Sequence, residues 1–305
     1  MAIDDRYRRQ VQLLVQLLPI VSREKDFALK GGTAINMFDS DMPRLSVDID
    51  LTYLGLETRT QALAHCREIL GRLAEEIERR LPGTRVERRF QQSEEIRLNV
   101  RVGNTLVKIE SSPVARGAVG PVEVREIRPR VQDEFGYAAI QCISTAEIYG
   151  GKICAALDRQ HPRDLFDIGQ LMDRNGLTRE VFDGFLVALM SSRRPMAEIL
   201  DPNRKDLTDE FVEEFHGMVA IPVRRESLEQ ARECLIQKIA GFMTMDDRSF
   251  LLSFKRDEPD WERFAYPKAR ALPAIRWKRL NLDKMTPDRR KAAIDRLNDV
   301  LAKMT

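Results

Sequence analysis

The sequence lacks any long apolar run, and its first residues lack the usual pattern of a secretory signal. No stretch of its 305 residues approaches the roughly 20 consecutive apolar side chains that a membrane-spanning helix requires. The start, Met-Ala-Ile-Asp-Asp-Arg, does not follow the basic-then-apolar pattern of a secretory signal. We therefore expect a protein without a membrane partner that is located in the cytoplasm.

Cysteine and histidine are few and scattered along the chain. The four cysteines never form a Cys-x-x-Cys pair, so the sequence predicts neither a zinc site nor a disulfide framework. We interpret them as reduced thiols. The three histidines are equally far apart, and we assign metal binding to none of them.

No excess of one charge points to a partner, because the formal net charge is only +2. A composition of 43% hydrophobic and 32% charged residues is typical of a folded globular protein. The length exceeds that of one average domain. Strand patterns become sparse after residue 143 and helical patterns take over, so we predict an α+β protein with domains at 1–142 and 143–305.

Apolar periodicity and turn residues predict the elements of the first domain. A first helix covers 7–20 and ends near Pro19, and a long helix covers 59–81. The predicted strands are 27–29, 46–51, 84–90, 95–102 and 105–110. Gly103 and Asn104 predict a tight hairpin turn between the last two strands.

The second domain is predicted to be helical. A capping box over 144–147 starts its first helix, with Glu147 as the capping carboxylate. Apolar spacing over 165–171 predicts the next helix. Further helices are predicted at 178–191, 208–218 and 226–243.

Two aspartates two residues apart mark the strand at 46–51. Side chains two apart share a face of a strand, so Asp48 and Asp50 present carboxylates roughly 6 to 7 Å apart, with Ser46 on the same face. A magnesium ion is the natural cation to lie between them, since Mg²⁺ binds a few carboxylates together with phosphate oxygens. A solvated strand edge is the alternative for this pair taken alone.

A turn of small residues, Gly31-Gly32-Thr33, leads from a strand into a helix. Such a turn lets backbone N–H groups approach a phosphate, and the helix N-terminus favours its negative charge. The alternative is a packing turn in which Thr33 is an N-cap. Together with the acidic strand, the turn predicts a nucleotide site that includes Gly31, Gly32, Thr33 and Ser46.

Lys108 and Glu110 share a face of the strand at 105–110. If this strand pairs beside the aspartate strand, Glu110 supplies a third carboxylate. It would bind a second metal ion or accept the proton of an acceptor hydroxyl, while Lys108 contacts phosphate. A surface lysine and glutamate on an exposed strand would give the same pattern.

Charged residues also gather in the predicted helical domain. Lys152 lies on its first helix, where we expect an exposed side chain whose removal costs little stability. Asp164 and Asp167 lie one turn apart at the start of the next helix, so both can face one cleft. Capping and helix-dipole roles are the alternative for these charges. The pattern does not distinguish Asp164 from Asp167 as the essential acid.

The segment 263–305 concentrates basic residues around an aromatic one. Arg276, Lys278 and Arg279 flank Trp277, and more lysines and arginines follow. A basic patch with an interleaved aromatic suits a nucleic-acid backbone. A solvated helix face is the alternative.

These motifs resemble the AbiEii family of nucleotidyltransferase toxins, within the DNA polymerase β nucleotidyltransferase superfamily, over nearly the whole chain. The motifs that carry the resemblance are LKGGTA at 29–34, SVDIDL at 46–51, KIE at 108–110, EIYGGK at 147–152, RDLFD at 163–167, LPAIRWK at 272–278 and NL at 281–282. The first two are shared by the wider superfamily, and the later ones are more specific. One departure is the long connection between Thr33 and Asp48, which contains Asp39, Asp41 and Pro43.

The resemblance implies a fold and a set of roles. It implies an N-terminal domain with a mixed β-sheet flanked by helices, a C-terminal helical domain, and NTP-dependent transfer by two-metal chemistry. Asp48 and Asp50 would hold Mg²⁺, and Gly32 and Thr33 would position the triphosphate. Lys152 and Asp164 would complete the site from the second domain, with Asp167 near the nucleotide.

The resemblance also implies partners. It implies a toxin of a toxin–antitoxin pair with a cognate antitoxin protein, and transfer of a nucleotide to the 3′ end of tRNA. The same metal site would serve a nucleotidyltransferase that modifies a small molecule or a protein side chain. A third reading, from another class, is a regulator that binds nucleotide without turnover. The joint presence of Asp48, Asp50 and Lys152 argues against that regulator.

Overall fold

The computed structural model describes residues 4–90, 96–112, 114–219 and 221–304. The chain divides into two compact units, Met1–Ile148 with Phe215–Val223, and Tyr149–Glu214 with Arg224–Thr305. Within the described ranges, no helix is long and apolar enough to cross a membrane. The four cysteines are free thiols, and three of them are buried.

The first unit contains a seven-stranded mixed sheet in the order β3-β4-β5-β2-β1-β7-β6. Its strands are β1 (Phe27–Lys30), β2 (Asp48–Tyr53), β3 (Thr84–Arg89), β4 (Ile96–Val102), β5 (Thr105–Ser111), β6 (Glu123–Glu126) and β7 (Ala139–Cys142). The pairs β2–β5 and β1–β7 are parallel, and the other pairs are antiparallel. The predicted α+β class and mixed sheet are therefore confirmed.

The predicted strands agree closely with the observed ones. Residue 95, the predicted start of one strand, lies outside the described residues. The hairpin turn at Gly103 and Asn104 is present, because Val102 pairs with Thr105 across it. The aspartate strand was predicted too early, since β2 begins at Asp48 and Ser46 precedes it. The short strands β6 and β7 were not predicted.

Helices cover the sheet of the first unit. They are α1 (Asp5–Val21), α2 (Gly31–Thr33), which continues as a π-helical turn over Ala34–Asp39, α3 (Arg59–Arg80) and α4 (Pro129–Phe135). The predicted end of α1 near Pro19 was wrong by two residues. Pro19 lacks the N–H of one hydrogen bond in the last turn, yet the helix continues past it and ends at Val21. Helix α4 was not predicted.

The second unit is helical. Its helices are α5 (Thr145–Asp158), which starts in the first unit, α6 (Pro162–Arg174), α7 (Arg179–Ser191), α8 (Met196–Leu200), α9 (Thr208–Glu210) with a π-helical turn at Phe211–Phe215, α10 (Arg225–Phe242), α11 (Met245–Arg256), α12 (Pro273–Asp283) and α13 (Pro287–Ala302). Helices α8 and α11 to α13 were not predicted. A Cβ at Gly150 would lie 2.2 Å from the Gly184 carbonyl carbon, so α5 and α7 cross with their backbones in contact.

The predicted cap of α5 is confirmed. The Glu147 backbone N–H donates to Ser144 Oγ at 3.3 Å, and the Ser144 hydroxyl donates to the Glu147 carboxylate at 2.8 Å. The same carboxylate also accepts from the backbone N–H groups of Val119 and Gly120 at 2.8 and 3.0 Å. Glu147 therefore caps the helix and anchors a connection of the first unit.

Candidate active site

The two aspartates of β2 share one face of the sheet with the charged residues of its neighbours. Asp48 pairs with Lys108 and Asp50 pairs with Glu110 across the parallel β2–β5 ladder. The intervening Ile49 is fully buried, and both aspartates are half-buried. Residues at one level of adjacent strands point to the same face. The pairing of β2 with β5, on which the predicted role of Glu110 depends, is therefore present.

The glycine turn lies directly against this acidic face. Gly31 has a φ of +72°, and a Cβ there would lie 2.5 Å from Asp50 Oδ2. Only glycine suits this position, because both the backbone conformation and the carboxylate exclude a side chain. The turn opens α2, and the first N–H groups of a helix have no partner in a preceding turn. Backbone donors and the Asp50 carboxylate thus lie side by side.

A hydroxyl chain joins the turn to β2. The Thr33 hydroxyl donates to the Asp48 carbonyl oxygen at 2.6 Å and lies 2.8 Å from Ser46 Oγ. Since the Thr33 proton is given to Asp48, Ser46 is the donor in the second bond. Thr33 and Ser46 are both buried. Their hydroxyls hold the start of β2 in place.

Arg44 is a buried cation at this site that the sequence did not reveal. Its side chain is 3% exposed, and its Nη1 donates to the Leu45 carbonyl at 2.9 Å. A Cβ at Gly32 would lie 2.7 Å from Arg44 Nη2 and 3.2 Å from Ser46 Oγ. Gly32 therefore lets the guanidinium pack against the glycine turn. No periodic pattern marks Arg44, because it lies in the connection before β2.

The Glu110 carboxylate forms an ion pair with the neighbouring Arg97. Arg97 lies opposite Glu110 across the β4–β5 ladder, and its Nε is 2.6 Å from Glu110 Oε1. Among the residues that the structure describes, no three His, Cys, Asp or Glu side chains converge as a metal site. Asp48 and Asp50 by themselves fit Mg²⁺, which commonly takes one or two protein carboxylates and completes its shell with phosphate and water.

The charged residues of the helical unit form a buried cluster of their own. Lys152 Nζ lies 2.8 Å from Asp164 Oδ1 and 3.1 Å from Asp167 Oδ2. Lys152 is only 7% exposed, so the prediction of an exposed lysine was wrong. Contacts from α6 explain the burial, since both of its aspartates face α5. Lys152 binds the two carboxylates together.

Asp164 has a second basic partner, Arg159. It also accepts from Arg159 Nε at 2.5 Å and from Arg159 Nη2 at 3.0 Å. Burial alone would raise the pKa of Asp164, but the Lys152 ammonium and the Arg159 guanidinium outweigh it and hold the pKa below its ordinary value. Asp164 is therefore a buried carboxylate anion.

Arg163 does not join this cluster. Its Nη2 lies 3.4 Å from Glu214 Oε2, and the same oxygen lies 2.9 Å from His161 Nε2. His161 Nδ1 accepts from the Arg163 backbone N–H and so caps α6. Burial outweighs the hydrogen bond to Glu214 and lowers the pKa of His161. The charged residues at the start of α6 thus form two separate groups. Asp164 and Asp167 are buried against Lys152, whereas Arg163 lies with the capping residue His161.

Comparison with known proteins agrees with this fold. The chain is similar to MenT4, a nucleotidyltransferase toxin from Mycobacterium tuberculosis H37Rv, with 15% identity, a TM-score of 0.58, and coverage of 97% of this chain and 95% of that one. It is also similar to terminal uridylyl transferase 4 from Trypanosoma brucei with bound dUTP, with 13% identity, a TM-score of 0.30, and coverage of 97% and 93%. No sequence among curated proteins matches it.

The mixed sheet brings the glycine turn and the paired aspartates together in a chain whose fold is similar to that of MenT4. Residues 12–278 match the family described as nucleotidyl transferase AbiEii toxin, type IV toxin–antitoxin system. The chain belongs to this family. Membership confirms the expected resemblance and implies an NTP substrate and an antitoxin partner.

Proposed function

We propose that this toxin transfers a nucleoside monophosphate from an NTP to the 3′-terminal hydroxyl of an RNA, in particular tRNA, with Mg²⁺ as its cofactor. The observation that carries the proposal is the contact between the glycine turn and the acidic strand. Gly31 has no Cβ where Asp50 Oδ2 lies, so a carboxylate and helix-start N–H groups border one space. That pairing suits a metal-bound triphosphate.

Asp48 and Asp50 are the proposed metal ligands. When bound there, Mg²⁺ neutralises charge on the triphosphate and orients its α-phosphorus for in-line attack. Thr33 fixes the position of the Asp48 backbone through its hydrogen bond to the Asp48 carbonyl oxygen, at 2.6 Å. Because the ligand strand is held at its first residue, the two carboxylates are oriented before the nucleotide binds.

The triphosphate is proposed to lie along the glycine turn. The backbone N–H groups of Gly31, Gly32 and Thr33 are its donors, and Ser46 orients the turn. Lys108, at the level of Asp48 on β5, is proposed to contact phosphate. Positive groups along the triphosphate stabilise the charge that develops on the leaving pyrophosphate.

Transfer requires a proton acceptor as well as a phosphate site. The acceptor hydroxyl oxygen bonds to the α-phosphorus, the bond from that phosphorus to the bridging oxygen breaks, and pyrophosphate leaves with the electron pair. Glu110, at the level of Asp50, is proposed to accept the hydroxyl proton. Since Arg97 holds Glu110 at 2.6 Å, this carboxylate must be released from Arg97 to act as a base.

The buried cluster of the helical unit is proposed to contribute to the same reaction. Lys152 would neutralise charge on the transferred phosphate, and Asp164 and Asp167 would hold its ammonium. Asp164 accepts hydrogen bonds from both Lys152 and Arg159, and these cations hold it as a buried anion. We therefore propose Asp164 as the essential acid and Asp167 as a second positioning group near the nucleotide.

The biological setting follows from the family. We propose that a cognate antitoxin neutralises the activity and that the protein acts in the cytoplasm, where NTPs and tRNA are found. Growth of a bacterial host should slow on expression of the wild type and recover with Asp48→Ala. Equal arrest by both proteins would point to toxicity without catalysis.

The test of the proposed function identifies the donor and the acceptor together. Purified protein is incubated with total cellular RNA, Mg²⁺ and each α-labelled NTP in turn, and the products are separated on one gel. Label on an RNA of tRNA size supports the proposal. Label on a protein or a small molecule would support the alternative acceptors. Nucleotide binding without any labelled product would support a regulator and contradict the enzyme.

A further inference from the structure

The C-terminal segment has a charge unlike that of the rest of the chain. Residues 263–305 contain twelve lysines and arginines, four aspartates and no glutamate, an excess of eight positive charges. The whole chain carries only +2, so the residues before this segment have an excess of six negative charges. A local excess of this kind marks a surface for a polyanion when its side chains are exposed.

Several of these cations are used within the fold. Lys278 Nζ donates to the carbonyls of Ser192 and Arg194 at 2.6 and 2.8 Å, just beyond the end of α7. Burial lowers the pKa of Lys278 to about 8. Arg279 Nε lies 2.5 Å from Asp257 Oδ1. These side chains stabilise the helical unit and leave a smaller set for a ligand.

One face of α12 carries exposed side chains of two kinds. Trp277 is 54% exposed and Leu280 is 53% exposed, three residues apart on the same side of the helix. Arg276 and Lys284 are exposed beside them, and Lys284 Nζ lies 5.8 Å from the centre of the Trp277 ring. We call Arg276, Trp277, Leu280 and Lys284 the α12 stripe.

The cations of the α12 stripe are available for a ligand. Within the described part of the chain, no carboxylate lies within 4.0 Å of Arg276 or Lys284, although most other exposed arginines have one. The stripe runs over nine residues, from Arg276 to Lys284 directly after the end of α12, which is about 12 Å along the helix axis. It therefore offers an aromatic ring, an apolar side chain and two cations without a carboxylate partner among the described residues, along one short line.

We infer that the α12 stripe binds an unpaired stretch of RNA, with a base stacked on Trp277 and phosphates at Arg276 and Lys284. The inference rests on the proposed function for the choice of RNA, and on this surface for the mode of binding. A base can stack on a side chain only where it is not paired and stacked in a duplex. Aromatic rings flanked by cations are how proteins bind single strands without sequence preference.

The other occupants of an exposed apolar helix fit less well. A membrane surface needs a broad apolar face, and the stripe has only two large apolar side chains. Symmetric pairing with a second copy of the chain would leave Arg276 and Lys284 facing the like charges of the same segment. An RNA strand satisfies both the ring and the cations.

The test measures RNA binding apart from transfer. The chain has two tryptophans, and Trp261 is buried, so a Trp261→Phe background makes fluorescence report Trp277 alone. Titration with a 12-nucleotide single-stranded RNA should quench this fluorescence saturably, and a duplex of the same sequence should quench it weakly. Filter binding of the same labelled RNA to otherwise unaltered protein gives a second measurement that does not depend on how Trp261→Phe folds.

Matched variants assign the contacts. Trp277→Ala should weaken RNA binding at least about tenfold at every salt concentration, the lower range of one lost base stack. Arg276→Glu with Lys284→Glu should weaken it further and reduce the dependence of affinity on salt. Lys238→Glu changes an exposed lysine of α10 and is the control. It should have little effect on RNA affinity or on the salt dependence of that affinity. NTP binding should be the same in all variants.

Each contrary result has its own meaning. RNA affinity that is unchanged by both Trp277→Ala and the double glutamate variant would overturn the α12 stripe, even if the wild type still labels RNA. Equal binding of duplex and single strand would overturn the stacking mode. If the wild type labels no RNA but Trp277→Ala still reduces single-strand binding, the proposed function fails and the surface stands.

Discussion

The Thr33 hydroxyl donates to the Asp48 carbonyl oxygen at 2.6 Å and so ties the glycine turn to the strand that carries both aspartates. The bond joins two residues that are fifteen positions apart in the sequence. It explains why a turn and a strand far apart in sequence keep a fixed distance. The proposed reaction requires the phosphate donors of the turn and the metal ligands of the strand to be held together in this way.

Thr33→Val removes this bond at nearly constant volume. We expect the variant to lose about 1 to 2 kcal/mol of unfolding free energy. Its kcat should fall at least about tenfold, because the Asp48 backbone is no longer held in position. Thr33→Ser keeps the hydroxyl and should retain most of the activity. Steady-state kinetics and urea unfolding of the three proteins check this. A kcat for Thr33→Val equal to that of wild type would show that the bond positions nothing.

Gly32→Ala probes the packing of Arg44 against the turn. A Cβ there would lie 2.7 Å from Arg44 Nη2, so the guanidinium must move. We expect KM for the NTP to rise about tenfold, since roughly 1.4 kcal/mol of binding is lost when the donors shift. Gly71→Ala is the matched control, because nothing lies within 4 Å of a Cβ at that position of α3. The idea fails if both variants keep the wild-type KM.

Lys152→Met tests the buried cluster. Two carboxylates lose their shared cation, and we expect a loss of about 3 to 5 kcal/mol in unfolding free energy, as for a broken buried ion pair. Turnover should also fall at least about 100-fold at a temperature where the variant is fully folded by circular dichroism. Arg159→Gln breaks a bond to the same Asp164 from a side chain that is 60% exposed, so it should keep the activity. If the loss of turnover in Lys152→Met only follows unfolding, the lysine is structural.

The lowered pKa of Asp164 predicts how stability depends on pH. A carboxyl whose folded pKa is below its unfolded value stabilises the fold above the unfolded pKa, about 3.9, and loses this contribution as pH falls toward the folded pKa. Wild type should therefore exceed Asp164→Asn in unfolding free energy at pH 7, and the gap should narrow below about pH 4. Urea titrations of both proteins between pH 3 and pH 7 measure it. A gap that is constant over this range would mean that Asp164 is not a buried anion.

Local sequence patterns were enough to predict many of the strands of the first unit. The hairpin at Gly103 and Asn104 was predicted, and a two-residue turn there fixes Arg97 opposite Glu110, so this ion pair was within reach of the sequence. The edge strand β6 and its neighbour β7 have four residues each, too few for a clear alternation. Short strands at an edge depend on their neighbours for stability.

Other features of the site depend on contacts that are distant in sequence. Arg44 lies in a connection, and its burial follows from packing against Gly32 and from a bridge to Val219. Lys152 has the spacing of an ordinary helix residue, and only the approach of α6 makes it buried. The basic residues of α12 look equivalent in sequence. Their helix turns Lys278 inward and Trp277 outward, which sorts structural cations from exposed ones.

The most direct test of the central claim is the rate of nucleotide transfer to RNA by Asp48→Asn and Asp50→Asn with Mg²⁺ present. Both variants should keep the wild-type circular dichroism and melting temperature to within a few degrees, because their side chains are only half-buried. Each should lose at least about 100-fold in rate, since a neutral amide is a poor magnesium ligand. Asp41 is an exposed acid in the connection between Thr33 and Asp48, and the Asp41→Asn variant should transfer at the wild-type rate. Full activity of both folded variants would contradict the assignment of the metal site.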